Sequence, residues 1–195
     1  MFLFGRPPEP RLAQILAGVA GAPLTYPEVG ATADPDRLPT GYHHVRVTRT
    51  LGEGDAVFAA AVDGLRAWVL HRGQGFRLIP DDAVVAEGTE VAVDVPLALA
   101  VHVIATCRVV WAVDGPDRVG FGYGTLPVHP ASGEEAFVVE RDAGGTVRVD
   151  VYAFSRPRHP LMRLGGPVAR RQQARATEGY AAALDRYVRS CTAGA

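Results

Sequence analysis

Tyr123, His129, Glu134 and Glu135 lie close together in the stretch Gly120 to Glu140, GFGYGTLPVHPASGEEAFVVE, and their types suit proton transfer. An imidazole is half-ionised near neutral pH, a carboxyl moved into an apolar pocket rises toward that range, and a phenol can donate a hydrogen bond to an oxyanion. A turn at Pro127, His129 and Pro130 would fold the flanking strands together and bring the four groups near one another. The bland alternative is a surface His-Pro hinge followed by two solvated glutamates. Metal chemistry has less support: His129 with Glu134 or Glu135 supplies at most three ligands, and no Cys-rich or His-rich spacing completes the set. No metal is expected.

Nucleophilic chemistry finds little footing. There is no Gly-x-Ser-x-Gly elbow, and Cys107 sits in the middle of an apolar strand pattern, where a thiol is an inert core residue. Phosphate-binding loops of the Walker or Rossmann type are absent. GFGYG lies inside a strand pattern with no helix after it, so no cofactor is expected.

These residues need elements to hold them. Leu12, Ile15, Leu16 and Val19 recur at helical spacing between Pro10 and Ala20, which predicts a short amphipathic helix in an N-terminal extension over residues 1–24. The following segment, TYPEVGATADPDRLPTGY, reads as an irregular connection. Tyr42 to Leu51 alternates as a half-buried strand, with His43 and His44 on opposite faces, so the pair cannot chelate one metal simply. Asp55 to Arg72 has the apolar stripe of one continuous helix, and His71 would occupy its last turn near the negative end of the dipole.

Strands then follow at Phe76–Ile79, Glu90–Val95, Val101–Val113, Val119–Leu126, Ala136–Arg141 and Thr146–Phe154. Val101 to Val113 alternates throughout and would put Cys107, Val109, Trp111 and Val113 on one apolar face. Gly120, Gly122 and Gly124 share one face of the next strand, with Phe121 and Tyr123 on the other. Three glycines on one face mean a sharp bend of the sheet or something packed against its backbone. The tail from Leu161 to Val188 is helical in period, with Gly165 and Gly166 interrupting it. Its face through Val168, Gln172, Ala176, Gly179 or Tyr180, Ala183 and Tyr187 is rich in small and polar residues, as suits a helix bordering a cavity.

The chain has 195 residues, 48% hydrophobic and 21% charged, with a formal net charge of -1. That length and composition fit one soluble domain and exclude disorder as the dominant state. The near-neutral balance gives no general pull toward nucleic acid, although Arg156, Arg158, Arg163, Arg170, Arg171 and Arg175 make the region around the last helix locally basic. Without interleaved aromatics that run is not read as a nucleic-acid surface. No apolar run reaches the roughly 20 residues of a membrane span, so no stable membrane insertion is expected. Two cysteines, no disulfide spacing and no signal-peptide core point to the cytoplasm.

Strands joined by tight turns, with helices at both ends, describe an α+β domain over residues 25–190 in which a curved antiparallel sheet wraps around the long C-terminal helix. The order of elements is similar to the helix-grip architecture of START-like and Bet v 1-like proteins. TYPEVGAT at Thr25 to Thr32, CRVVWAVD at Cys107 to Asp114, GFGYGTLPVHPASGEEAF at Gly120 to Phe137 and AFSRP at Ala153 to Pro157 resemble an uncharacterised family, DUF1990. That resemblance implies no reaction.

The expected function is therefore binding of a small apolar or amphipathic molecule between sheet and last helix, lined by Trp111, Phe121, Tyr123, Gln172 and Ala176. The alternatives are an enzyme on the same scaffold, using Tyr123, His129, Glu134 and Glu135 for cyclisation, isomerisation or dehydration, and an interaction protein with a filled core. The sequence leaves the protein partner undetermined.

Overall fold

Alternating apolar residues force each strand to bury one face, and the turns between strands are short enough to pair neighbours directly. The computed structural model describes residues 1–159 and 166–193. In chain order its main elements are β1 (Phe2–Phe4), α1 (Glu9–Ala17), β2 (His43–Glu53), α2 (Asp55–Arg66), α3 (Val69–Arg72), β3 (Arg77–Ile79), β4 (Glu90–Pro96), β5 (Val101–Asp114), β6 (Arg118–Thr125), β7 (Ala131–Arg141), β8 (Thr146–Pro157) and α4 (Gly166–Thr192). The strands form one antiparallel sheet in the order β2-β8-β7-β6-β5-β4-β3, and β1 pairs with the start of β5. The expected helix-grip arrangement is what the chain adopts.

The inner face of the sheet carries the main core. Val109, Phe121, Phe137, Val139, Val149 and Val151 pack there with Leu65 and Trp68 from the first helices and Ala181, Leu184 and Val188 from α4. The N-terminal residues are not a loose extension. β1 joins the sheet, and Leu12 of α1 is fully buried against Ile79, Ala92 and Ile104 on the outer face.

Three local departures from the sequence pattern decide where the polar groups go. First, the helix expected over Asp55 to Arg72 breaks at Trp68, which adopts a left-handed conformation (φ 57°, ψ 28°). Second, β5 carries a bulge, because Val109 pairs with Tyr123 while Trp111 pairs with the next residue back, Gly122. The extra residue reverses the facing of everything after it. Trp111 therefore lies on the outer face, beside Ala136, Val138 and Tyr152, and not with Phe121 as the unbroken alternation required. Third, β7 begins at Ala131, five residues before the expected strand start, so Glu134 and Glu135 are successive strand residues and point to opposite faces.

Residues 161–165, including Gly165 of the expected glycine interruption, lie outside the described residues. No helix of the described residues is long and apolar enough to cross a membrane.

Candidate functional site

On the outer face the connection after α1 lies across the middle of the sheet and is anchored by Glu134. This carboxylate accepts hydrogen bonds from the Tyr26 hydroxyl (2.6 Å), the Gly30 amide (2.8 Å), the Thr32 amide (2.9 Å) and the Thr32 hydroxyl. Trp111 Nε1 donates to Thr32 Oγ1 at 2.9 Å, and the Tyr152 hydroxyl donates to Thr32 O at 2.9 Å. Every partner of Glu134 is a donor, the pattern an ionised carboxylate satisfies best. Burial and the adjacent Glu134 charge push the Tyr26 phenol far up, so it stays protonated and donating.

Two of the three glycines of β6, Gly122 and Gly124, make room for this strap. A methyl group at Gly124 would sit 2.0 Å from Tyr26 Oη, and one at Gly122 would sit 2.3 Å from Trp111 Nε1 and 2.7 Å from Thr32 Oγ1. Of the two explanations for the glycine face, close packing is the one realised. Gly124→Ala is expected to displace Tyr26 and cost about 1–3 kcal/mol, as overpacking does; urea unfolding of that variant against the wild type measures it.

The inner face holds the other glutamate. Glu135 accepts a hydrogen bond from the Tyr123 hydroxyl at 3.0 Å, and His71 Nε2 lies 3.1 Å from the same phenol oxygen. The left-handed turn at Trp68 swings His71 under the sheet, where it is fully buried rather than placed at an exposed helix end. Its ring packs against Phe137 (5.1 Å between centroids), Tyr180 (4.8 Å) and Trp68 (5.1 Å). Tyr123 has one proton, which it gives to Glu135, so His71 donates from Nε2 and its Nδ1 lone pair has no partner. The Tyr180 ring of α4 packs on the rings of His71 and Phe137 beside this group.

Burial sets the protonation of this group. It lowers His71 to about 3, with the nearby Arg72 charge acting in the same direction, so the imidazole is neutral at physiological pH. Desolvation raises the Glu135 carboxyl to about 7, against the opposing effect of the Tyr123 hydrogen bond. Tyr123 and Tyr180 are held well above the ordinary phenol range, mainly by desolvation. Protein atoms surround Glu135, yet part of its surface remains accessible, unlike its buried neighbours Glu134 and Ala136. Phe76, Val95 and Ala105 on the same side of the core are likewise only partly buried. The inner face is tightly filled around Phe121 and Phe137.

The sequence-expected residues therefore separate. Tyr123 and Glu135 come together, and Phe121 packs beside Tyr123 (6.1 Å between centroids). Glu134 and Trp111 lie across the sheet from them. His129 occupies the β6–β7 turn, where its Nδ1 accepts from the Ala131 amide at 3.0 Å; burial lowers it to about 4. Its role there is to close the turn. Ala176 of α4 is partly buried, and the side chain of Gln172 lies outside the described residues. His71 and Tyr180 are the members the sequence reading missed. Tyr180 lay on the helix face singled out, but His71 required the break at Trp68 to be seen. The described residues contain no cluster of His, Cys, Asp and Glu able to hold a metal. Cys107 is buried and unpaired, its thiol pushed up by desolvation, as the inert reading required.

Known proteins are similar to this chain in sequence or in fold. A relative described as a UPF0548 protein, from Deinococcus radiodurans, is 40% identical over 206 residues, covering 95% of this chain and 98% of the relative. Among solved structures, a hypothetical protein of Helicobacter pylori superposes with a TM-score of 0.57 at 12% identity, covering 86% of this chain and 96% of the other. A START superfamily protein from Mycobacterium smegmatis superposes with a TM-score of 0.51 at 13% identity, covering 78% and 100%. At such identities these two likenesses bear on the fold alone. The model of a domain of unknown function, DUF1990, matches residues 25–183, from the Glu134-anchored strap to the helix carrying Tyr180. The chain belongs to the DUF1990 family.

Proposed function

We propose that the protein binds a small, mostly apolar molecule between the inner face of the sheet and α4, with the polar end of that molecule at Glu135, Tyr123, Tyr180 and His71. The observation that carries this reading is hydrogen-bonding capacity that folding does not use: a fully buried His71 Nδ1 with no partner, on a ring joined through Tyr123 to Glu135, a residue only partly buried. Buried polar atoms left unmatched are uncommon, and a few converging polar groups in an apolar lining are how small-molecule sites fix orientation. A cytoplasmic setting belongs to the same reading, with Cys107 and Cys191 both unpaired.

The chain has two tryptophans, Trp68 on the inner face and Trp111 on the outer. In a Trp111→Phe background, Trp68 alone reports the interior. Titration with an apolar fluorophore should quench Trp68 by energy transfer, and Ala105→Trp, which adds bulk at a partly buried position of the inner face, should lower the probe's affinity at least tenfold without unfolding the protein. For that filled variant the readout is the probe's own fluorescence. Native mass spectrometry should also find a co-purifying molecule released on denaturation. A probe that binds equally well to the filled variant, together with no co-purifying species, would show the core to be closed and remove the reading.

One observation favours proton transfer at the same place: a carboxyl near 7 hydrogen-bonded to a phenol can exchange protons at physiological pH. In that version Glu135 is the acid or base, and His71 replaces His129 as the supporting imidazole. Glu135→Gln would then keep probe affinity and lose conversion of whatever molecule co-purifies; unchanged conversion rejects it.

A further inference from the structure

The sheet and α4 have two ends of opposite character. One end is formed by the β4–β5 turn, the end of β1, the β6–β7 turn, the end of β8 and the first turns of α4. Phe4 and Leu99 stand out there at 85% and 87% exposure, more than any other large apolar side chain among the described residues. They are brought together by the backbone, since Phe4 pairs with Val101 and the Gly5 amide donates to Ala100 O at 2.8 Å. Leu99 and Ala100 both adopt left-handed conformations (φ 59° and 56°). A tight turn of two such non-glycine residues holds the leucine side chain out in water instead of letting it fold back.

Exposed arginines are carried by the segments that lead to this end. Arg6, Arg156, Arg158, Arg171 and Arg175 are exposed, and none forms an ion pair with a described residue. Arg156 lies over the Tyr42 ring, and Arg158 donates to Pro127 O. Glu9 and Glu28 are the acids nearby, and Glu28 is engaged by the Tyr42 hydroxyl. At the opposite end the turns carry Glu53, Asp55, Asp81, Asp82, Asp114, Asp117 and Asp142. The arginines there are matched, as in Arg66–Asp114, Arg72–Asp81, Arg141–Asp117 and Arg148–Asp142. A net charge of -1 thus conceals a molecule with one acidic end and one basic end tipped by exposed apolar side chains.

We propose that the basic end docks reversibly on a bilayer surface bearing anionic headgroups, with Phe4 and Leu99 entering the interfacial layer and the arginines facing the headgroups. Exposed apolar side chains at an end whose arginines form no ion pair with a described residue match the two terms of peripheral membrane attachment, apolar burial and attraction to anionic lipid. Two apolar residues make the attachment shallow and reversible, with no spanning element needed. The idea rests on the inner-face binding reading for its purpose, exchange of an apolar molecule with a membrane, but not for its test.

The test is co-sedimentation of the full chain with phosphatidylcholine vesicles and with vesicles of phosphatidylcholine mixed with phosphatidylserine. Binding is expected to the mixed vesicles only, to weaken as salt is raised, and to fall roughly tenfold or more in Phe4→Asp/Leu99→Asp and in Arg156→Gln/Arg158→Gln. All four positions are exposed, so thermal melts and binding of the apolar fluorophore without vesicles should match the wild type. Loss of vesicle binding with normal fluorophore binding establishes docking as a separate property; fluorophore binding that fails in every variant and in the wild type removes the inner-face reading alone. Equal binding to neutral vesicles, or binding unaffected by the tip substitutions, overturns the proposal. So does light scattering that shows a dimer abolished by Phe4→Asp/Leu99→Asp, which would make the tip a contact between copies, or binding to RNA in preference to the mixed vesicles.

Discussion

Replacing Glu134 by alanine is expected to lower stability by about 3–5 kcal/mol, the range for breaking a buried, fully hydrogen-bonded charged group. The loss is not of one contact. Removing the carboxylate strands the Tyr26 hydroxyl, the Gly30 and Thr32 amides and the Thr32 hydroxyl together, and each buried donor left without a partner costs about 1–3 kcal/mol before relaxation. Water can reach part of the strap once it lifts, which is why the sum is not realised in full. Chemical denaturation gives the magnitude, and hydrogen exchange gives its location: the amides of Gly30 and Thr32 should become fast while those of β6 and β7 remain protected. Tyr26→Phe removes a single donor and should cost about 1–3 kcal/mol. If Glu134→Ala lost ligand binding or activity without any loss of stability, the anchoring role would be wrong and a chemical role would return.

Glu135→Gln is expected to act in the opposite direction and only above about pH 4.5, the ordinary value of the carboxyl. The folded-state carboxyl is raised to about 7 from an ordinary value of 4.5, so the folded state disfavours ionisation. Below the ordinary value both states are protonated and the group contributes no penalty. Between 4.5 and 7 the unfolded chain releases its proton first, and stability falls with rising pH; above 7 the penalty is complete. Glutamine is neutral throughout and can still accept from Tyr123. The variant should therefore match the wild type near pH 4.5 and exceed it by about 1–3 kcal/mol at pH 8, the lower part applying because Glu135 keeps some solvent contact. Two histidines add a separate slope. His71 and His129 are lowered to about 3 and about 4, so they stabilise fully above pH 6.5 and lose that contribution as pH falls. Differences between variant and wild type cancel the histidine effect, which makes paired thermal melts across pH the proper measurement. A difference independent of pH would mean that Glu135 titrates normally.

The fold was legible because strand alternation and turn residues agree along most of the chain. The site was legible only in part, and each miss has a physical source. Val110, Trp111, Ala112 and Val113 are all apolar, so either register suits them and the bulge leaves no mark in the pattern. Ser132, Gly133, Glu134 and Glu135 lack strand character, which hid the early start of β7 and with it the division of the two glutamates between faces. The helix through Trp68 looked continuous because a left-handed bulky residue is uncommon, and His71 was misplaced with it. The Glu134 anchor joins residues 102 to 108 positions apart; no periodicity encodes such a pairing, and only the glycine strip hinted that something lay against the strand.

That strip has a mechanical meaning for the interior. With Tyr26, Thr32 and Trp111 seated directly on the backbone of β6, the centre of the sheet is clamped from behind and cannot bow outward to admit a guest. Any yielding must come from the other wall, where α4 lies across the inner face and the chain turns sharply at Trp68. For the binding proposed above, the sheet would be the fixed jaw of the grip and the helices the moving one.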